Sequence, residues 1–225
     1  MSLFAIADTH LSFASNKPMD DFEGWLNYTD RLKENWNKII DDKDYVVIAG
    51  DISWAMNFDE LKADFDYINR LNGKKIILKG NHDYWWNTMS KMNKFIEENN
   101  FNTISILHNN AFDFDDFSVC GSRGWFFDSD EEQNEKVLNR EVMRIKTSIE
   151  SALNCEKIVF LHYPPVYENQ CCEEIVNLLK EKGIKKCYYG HIHGVAAKYA
   201  FDDNYDGIDF KLISADRLNF MPLLI

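Results

Sequence analysis

Polar residues that can hold cations or move protons recur in this chain just after short apolar runs. Asp8 and His10 follow residues 3–7, and Asp51 follows 45–49. Asn81 and His82 follow 75–78, His162 follows 157–161, and His191 and His193 follow 186–189. Five of the six histidines lie in these positions, and only His108 falls outside, as a loop or surface residue. A single histidine is commonly just a hydrogen-bonded structural residue. Five of them interleaved with Asp8, Asp51 and Asn81 supply the imidazole, carboxylate and carboxamide donors that a metal site requires. Without thiolate ligands, such a set suits Mn²⁺, Fe or Zn²⁺. Asp8 and His10 form an i, i+2 pair, as do His191 and His193, and in an extended segment such residues point to the same side. Gly50, Gly80, Gly190 and Gly194 flank these residues and permit tight turns and close backbone approach.

The apolar runs must position these groups. Residues 3–7, 45–49, 75–78, 103–107, 117–120, 157–161 and 186–189 read as buried strands. Residues 31–40, 60–71, 89–98, 135–153 and 173–182 carry apolar side chains at three- and four-residue intervals and read as helices. Alternating strands and helices imply an α/β sandwich. Sites in open α/β sheets gather outside the carboxyl ends of the strands, so five strands aim donor atoms at one edge.

Composition narrows the possibilities. A chain of 225 residues can bury one sizeable core, so a single domain over 1–225 is expected. No apolar run approaches the roughly 20 residues of a spanning helix. The opening Met1-Ser2-Leu3-Phe4-Ala5-Ile6-Ala7-Asp8 lacks a basic stretch and meets an acid early, so a cytoplasmic location is expected. A net charge of −12 disfavours a nucleic-acid polymer. It leaves room for a small or medium phosphorylated substrate if bound metal makes the site locally positive. Five cysteines, an odd number without C-x-x-C spacing, suggest neither a disulfide framework nor a cysteine zinc site.

Five blocks in order resemble a known family. Asp8-Thr9-His10, Gly50-Asp51-Ile52-Ser53-Trp54, Gly80-Asn81-His82-Asp83, His162 and Gly190-His191-Ile192-His193-Gly194 are similar to the motifs of calcineurin-like metallophosphoesterases. Lys17-Pro18-Met19-Asp20, the Trp54 block and Gly121-Ser122-Arg123-Gly124-Trp125 also resemble a small bacterial subgroup of phosphohydrolases. The resemblance implies a four-layer αββα sandwich of two mixed β-sheets flanked by helices. The 211–214 region would fit the second sheet. It also implies a binuclear centre of two divalent ions: Asp8, His10 and His193 on one, Asn81, His162 and His191 on the other, Asp51 bridging. The two ions with Asp8 and Asp51 leave a charge of about +2, which a bridging hydroxide lowers to about +1. That hydroxide would attack phosphorus in line, without a phosphoenzyme.

The resemblance assigns His82 to transition-state stabilisation or protonation of the leaving oxygen, and the second role would favour diesters. Asp83 would orient His82 and raise its pKa, or else cap a helix over 84–91. Asn81 and Arg123 are the candidate substrate-binding residues. Arg123 clamps a phosphate or makes a surface salt bridge. Trp54, Trp85, Trp86 and Trp125 line the site or fill the core. Residues 126–132 read as an acidic loop near its mouth. Three functions compete: a phosphodiesterase or phosphomonoesterase, a nuclease of the same superfamily, and a metal-binding scaffold that recruits proteins.

Overall fold

Strands buried on both faces need a packed layer on each side, and the alternation of side chains along a strand decides which layer each residue meets. In the computed structural model, which describes residues 1–125, 135–168 and 170–225, that requirement produces four layers. Residues 126–132, read above as an acidic loop, lie outside the described residues.

The first sheet holds β1 (Leu3–Ile6), β2 (Tyr45–Ala49), β3 (Lys74–Leu78) and β4 (Ile104–Ile106). The second holds β5 (Phe112–Asp113), β6 (Phe117–Ser122), β7 (Glu156–Leu161), β10 (Lys186–Tyr189), β11 (Asn204–Tyr205) and β12 (Ile208–Leu212). β8 (Val166–Tyr167) and β9 (Gln170–Cys171) form a separate hairpin, and β13 (Leu223–Leu224) returns to the first sheet. The strand order is β13-β1-β2-β3-β4 in one sheet and β11-β12-β10-β7-β6-β5 in the other. Both sheets are mixed: β13, β11 and β5 run antiparallel at edges of otherwise parallel sheets.

Side-chain alternation sorts the core into three strata. Phe4, Ile6, Val46, Ile48 and Ile77 face outward onto α1 (Tyr28–Ile39), α2 (Phe58–Arg70) and α3 (Met89–Glu98). The intervening Leu3, Ala5, Ala7, Val47, Ala49, Ile76 and Leu78 face Val119, Ile158 and Phe160 of the second sheet. On the far side Cys120, Val159, Leu161, Cys187 and Tyr189 meet α4 (Glu135–Ser151) and α5 (Glu173–Glu181). The fold is thus the expected αββα sandwich.

Every strand and helix read from periodicity is present, with ends shifted by a few residues. The two-residue strands were not legible, since two residues carry no pattern. The 211–214 region divides: β12 ends at Leu212, and Ser214 makes a single parallel bridge to Ala7. That bridge, with Ala7 N–H donating to Ile213 O at 2.8 Å, joins the two sheets beside Asp8.

Lys75 sits fully buried at the start of β3, where its ammonium donates to Leu71 O at 2.6 Å and Gly73 O at 2.7 Å beyond the end of α2. Replacing it with methionine keeps the apolar stem and strands two buried carbonyls. Lys75→Met is therefore expected to lower stability by about 1–3 kcal/mol, read as a lower urea midpoint at unchanged slope.

Candidate metal centre

The first sheet contributes Asp8 and His10 after β1, Asp51 after β2, and Asn81 and His82 after β3. The second contributes His162 after β7, and His191 and His193 after β10. Backbone hydrogen bonds lock these loops together. Asp8 N–H donates to Gly50 O and His10 N–H to Asp51 O, both at 3.0 Å. Gly190 N–H donates to His162 O at 3.1 Å. Close approach needs the glycines: a Cβ on Gly80 would lie 2.1 Å from Asp51 Oδ1, and one on Gly190 would lie 2.7 Å from Asp8 Oδ2.

Two groups of donor atoms could each hold a cation. In one, Asp8, His10 and Asp51 have ligand atoms mutually within 4.8 Å; in the other, Asp51, His162 and His191 do. Asp51 belongs to both. Asn81 joins the second group, with its Oδ1 2.6 Å from His162 Nε2 and 2.9 Å from His191 Nδ1. His193 joins the first side, with its ring 5.1 Å from that of His10. The pair His191 and His193 therefore splits between the two halves. The pairs do not converge through extended backbone, as the i, i+2 spacing suggested. Asp8, His10, Asp51 and His191 have φ of 56°, 43°, 49° and 70°. Aspartate and histidine tolerate this left-handed region better than most side chains, and such strain concentrates at functional sites.

Several features fit the donor set to a cation. His10 is fully buried, and neither of its ring nitrogens has a hydrogen-bond partner. Buried polar nitrogens are normally paired, so two orphans on one ring call for an absent ligand. His162 Nδ1 lies 3.1 Å from Ala49 O, which can only accept. Nδ1 thus carries the proton, and Nε2 turns a lone pair toward Asn81 and Asp51. Burial, followed by neighbouring imidazoles, holds His10 and His162 well below the usual histidine pKa, so both are neutral donors. Burial pushes the Asp8 and Asp51 carboxyls well above the usual range; Asp216 and Asp83 also raise Asp8, and Asp83 and Asp8 also raise Asp51. Asp8 is held by Ser214 Oγ at 2.7 Å and by His191 N–H at 2.9 Å from Oδ2.

The structure revises two assignments. Asp83 neither orients His82 nor caps a helix. Its Oδ2 accepts from Gly80 N–H at 2.7 Å, and its Oδ1 from Ile52 N–H at 2.9 Å and Trp85 Nε1–H at 3.1 Å. It is a buried strut between the loops after β2 and β3, while α3 begins at Met89 behind Thr88. The spacing misleads because residue 83 turns into the core while residue 82 turns out. His82 Nδ1 instead meets the Tyr84 hydroxyl at 3.0 Å. Burial, with His193 and Lys17 adding repulsion, moves the His82 pKa down to about 4 rather than up.

Among the tryptophans, Trp54 belongs to the site, stacked on His10 at 4.8 Å and against His82 at 4.5 Å. Lys17 lies over its ring at 4.6 Å, and Met19 Sδ accepts from its Nε1–H at 3.4 Å. Trp85 and Trp125 are core residues, and Trp86 packs against the core. Arg123 lies 5.6 Å over Tyr163, whose ring is 4.4 Å from His191. It therefore borders the His191 half. Sequence spacing missed Trp25, Tyr84, Tyr163 and Ser214, since none occupies a strand end within a recognisable block.

The sequence profile of the family described as calcineurin-like phosphoesterase matches residues 1–195. An uncharacterised protein of Methanocaldococcus jannaschii is 34% identical over 86 residues, which span 36% of this chain and 46% of that protein. A phosphopantetheinyl hydrolase from Mycobacterium tuberculosis superimposes with a TM-score of 0.58 at 14% identity, over 100% of this chain and 95% of that one. A protein of unknown function from Aquifex aeolicus gives a TM-score of 0.52 at 15% identity, over 99% and 95%. Both structures share the fold. No helix among the described residues is long and apolar enough to cross a membrane.

Protons held on the raised Asp8 and Asp51 carboxyls compete with a cation, whereas the neutral imidazoles compete little. Apparent Mn²⁺ affinity is therefore expected to fall as pH is lowered, with proton release on binding. Calorimetric titration in buffers of different ionisation enthalpy reads both effects.

Proposed function

The chain belongs to the calcineurin-like phosphoesterase family; on that premise we propose that it is a metal-dependent phosphoesterase that hydrolyses a small phosphate ester by direct in-line attack of water. The observation that carries this reading is the shared carboxylate. Asp51 completes both donor groups, beside a buried His10 with two unpartnered nitrogens. Asp8, His10 and His193 would hold one cation, Asn81, His162 and His191 the other, with Asp51 serving both. Two cations so held would bring the pKa of water toward neutrality and offset charge on the phosphoryl oxygens.

The chain's own residues do the rest. Asp83 fixes the loops carrying Asp51 and Asn81. With the Tyr84 hydroxyl taken as the donor to His82 Nδ1, 3.0 Å away, Nε2 keeps its proton. With a pKa of about 4, His82 is neutral at working pH and acts as a hydrogen-bond donor to a phosphoryl oxygen rather than as a proton donor. It therefore gives no preference for diesters over monoesters. Water forms the new P–O bond as the bond to the leaving oxygen breaks; the attacking water releases a proton to solvent, and the leaving oxygen takes one from it. Arg123, at the His191 edge, steadies the non-reacting phosphoryl oxygens. The acidic surface favours a small substrate over a nucleic-acid polymer.

With Mn²⁺, the protein is expected to turn over bis-p-nitrophenyl phosphate or p-nitrophenyl phosphate and to leave single-stranded DNA intact. Turnover of no ester with Mn²⁺, Fe²⁺ or Zn²⁺ would sink the reading. His82→Ala should lower kcat by about 10²–10³ and leave the shape of the pH–rate profile unchanged from pH 6 to 9. Loss of an acidic limb in that range would instead identify His82 as a proton donor. Ser214→Ala, which removes a partner of Asp8, should weaken metal binding about 10–100-fold.

A further inference from the structure

Next to the His82 and His193 side of the centre lies a cavity of about 740 Å³, within the range of small-molecule sites. Its walls include Met19, Phe22, Trp25, Trp54 and Val195. The cavity is continuous with the candidate centre, because His82 and His193 line it directly and Trp54 stacks on His10 and packs at a tilt against His82. Trp25 is buried, with its ring 6.2 Å from that of His193. Phe22 and Val195 are 60% and 75% exposed, so apolar surface is presented to water beside a polar reaction centre.

The charges around the cavity select against a second phosphate. Glu23 and Asp216 are both in its wall, and Arg31 is the cation among the described lining residues. That cation is already engaged: Nη1 donates to Gly24 O at 2.7 Å, and the guanidinium lies 4.6 Å over the Phe220 ring. Asp216 Oδ2 accepts from Gly194 N–H at 2.5 Å. A polyphosphate or highly anionic arm would meet two carboxylates and an occupied guanidinium.

We infer that this cavity binds the organic arm of the substrate, and that the arm is an uncharged aromatic or bulky apolar group joined to a single phosphoryl group. The inference rests on the phosphoesterase reading above and adds the class of ester. With the phosphoryl group beside His82, the arm extends past Trp54 toward Phe22 and Val195. Removing roughly 100 Å² of apolar surface from water corresponds to an affinity gain on the order of 10–100-fold.

The test is calorimetric binding to the Mn²⁺-loaded protein of two phosphonates, whose P–C bond is not hydrolysed. (1-Naphthyl)methylphosphonate is expected to bind at least tenfold more tightly than methylphosphonate. Phe22→Asp and Val195→Asp should each cut that ratio to below threefold, with the methylphosphonate Kd changed less than twofold. The proposal is overturned if the two phosphonates bind alike, if neither binds, or if the ratio survives both substitutions. An equal loss for both ligands also overturns it, by showing that the variants merely disturb the centre. Because neither probe is turned over, a tight naphthyl complex with no hydrolysis of any ester would fail the catalytic reading alone and leave the cavity assignment standing.

Discussion

Two carboxylates taken out of water must be compensated by positive charge, and that demand organises the structure. Asp8 and Asp51 are 0% and 1% exposed. The ring and amide groups facing them are His10, His162, His191 and Asn81, and burial makes His10 and His162 neutral rather than cationic. Neutral imidazoles cannot offset two anions, so the free centre draws protons onto its carboxyls, which a pair of divalent cations would replace. The left-handed backbone at Asp8, His10, Asp51 and His191 shows how far the chain bends to bring these donors together. Such residues are about 1–3 kcal/mol less comfortable than in ordinary regions and persist only where the surroundings hold them.

The surroundings are the two sheets. Each donor group draws on the ends of different strands, and the second one spans both sheets, with Asp51 from the first and His162 and His191 from the second. The relative placement of the sheets therefore sets the geometry. Their contact near the centre is made by small residues, Ala5, Ala7 and Ala49, which let the backbones approach. The Ala7–Ser214 bridge then fastens β1 to the chain following β12. Ser214 serves twice, pairing its backbone across the sheets and its hydroxyl with Asp8.

For a phosphate to bind at the centre of a chain of charge −12, the local field there must differ from the global one. Short-range charge at the centre dominates there, because distant surface acids are screened beyond roughly 10 Å at ordinary ionic strength. Lys17, lying over Trp54, adds a cation at the rim close to His82. The polar centre and the apolar cavity meet along the Trp54 and His82 rings, so one aromatic residue both buttresses a metal-side histidine and forms the wall of the adjoining cavity.

The sequence alone determined the strands, the helices and the polar residues that follow the strand ends, because apolar alternation and residue types are local properties of the chain, whereas the four layers were implied by the family resemblance. Even the split of His191 and His193 followed from family motifs rather than from spacing. What tertiary structure decided lies in directions and distances. Asp83 and His82 are adjacent in sequence, yet one turns inward as a strut and the other faces the cavity. Burial sends the His82 pKa down, where a neighbouring carboxylate would have sent it up. Trp25 and Ser214 reach the centre from segments with no motif, and Tyr163 from the residue after a single-histidine motif. Each of these depends on which groups the folded chain places within a few ångströms and on how much water remains between them, and neither quantity is carried by residues near one another in sequence.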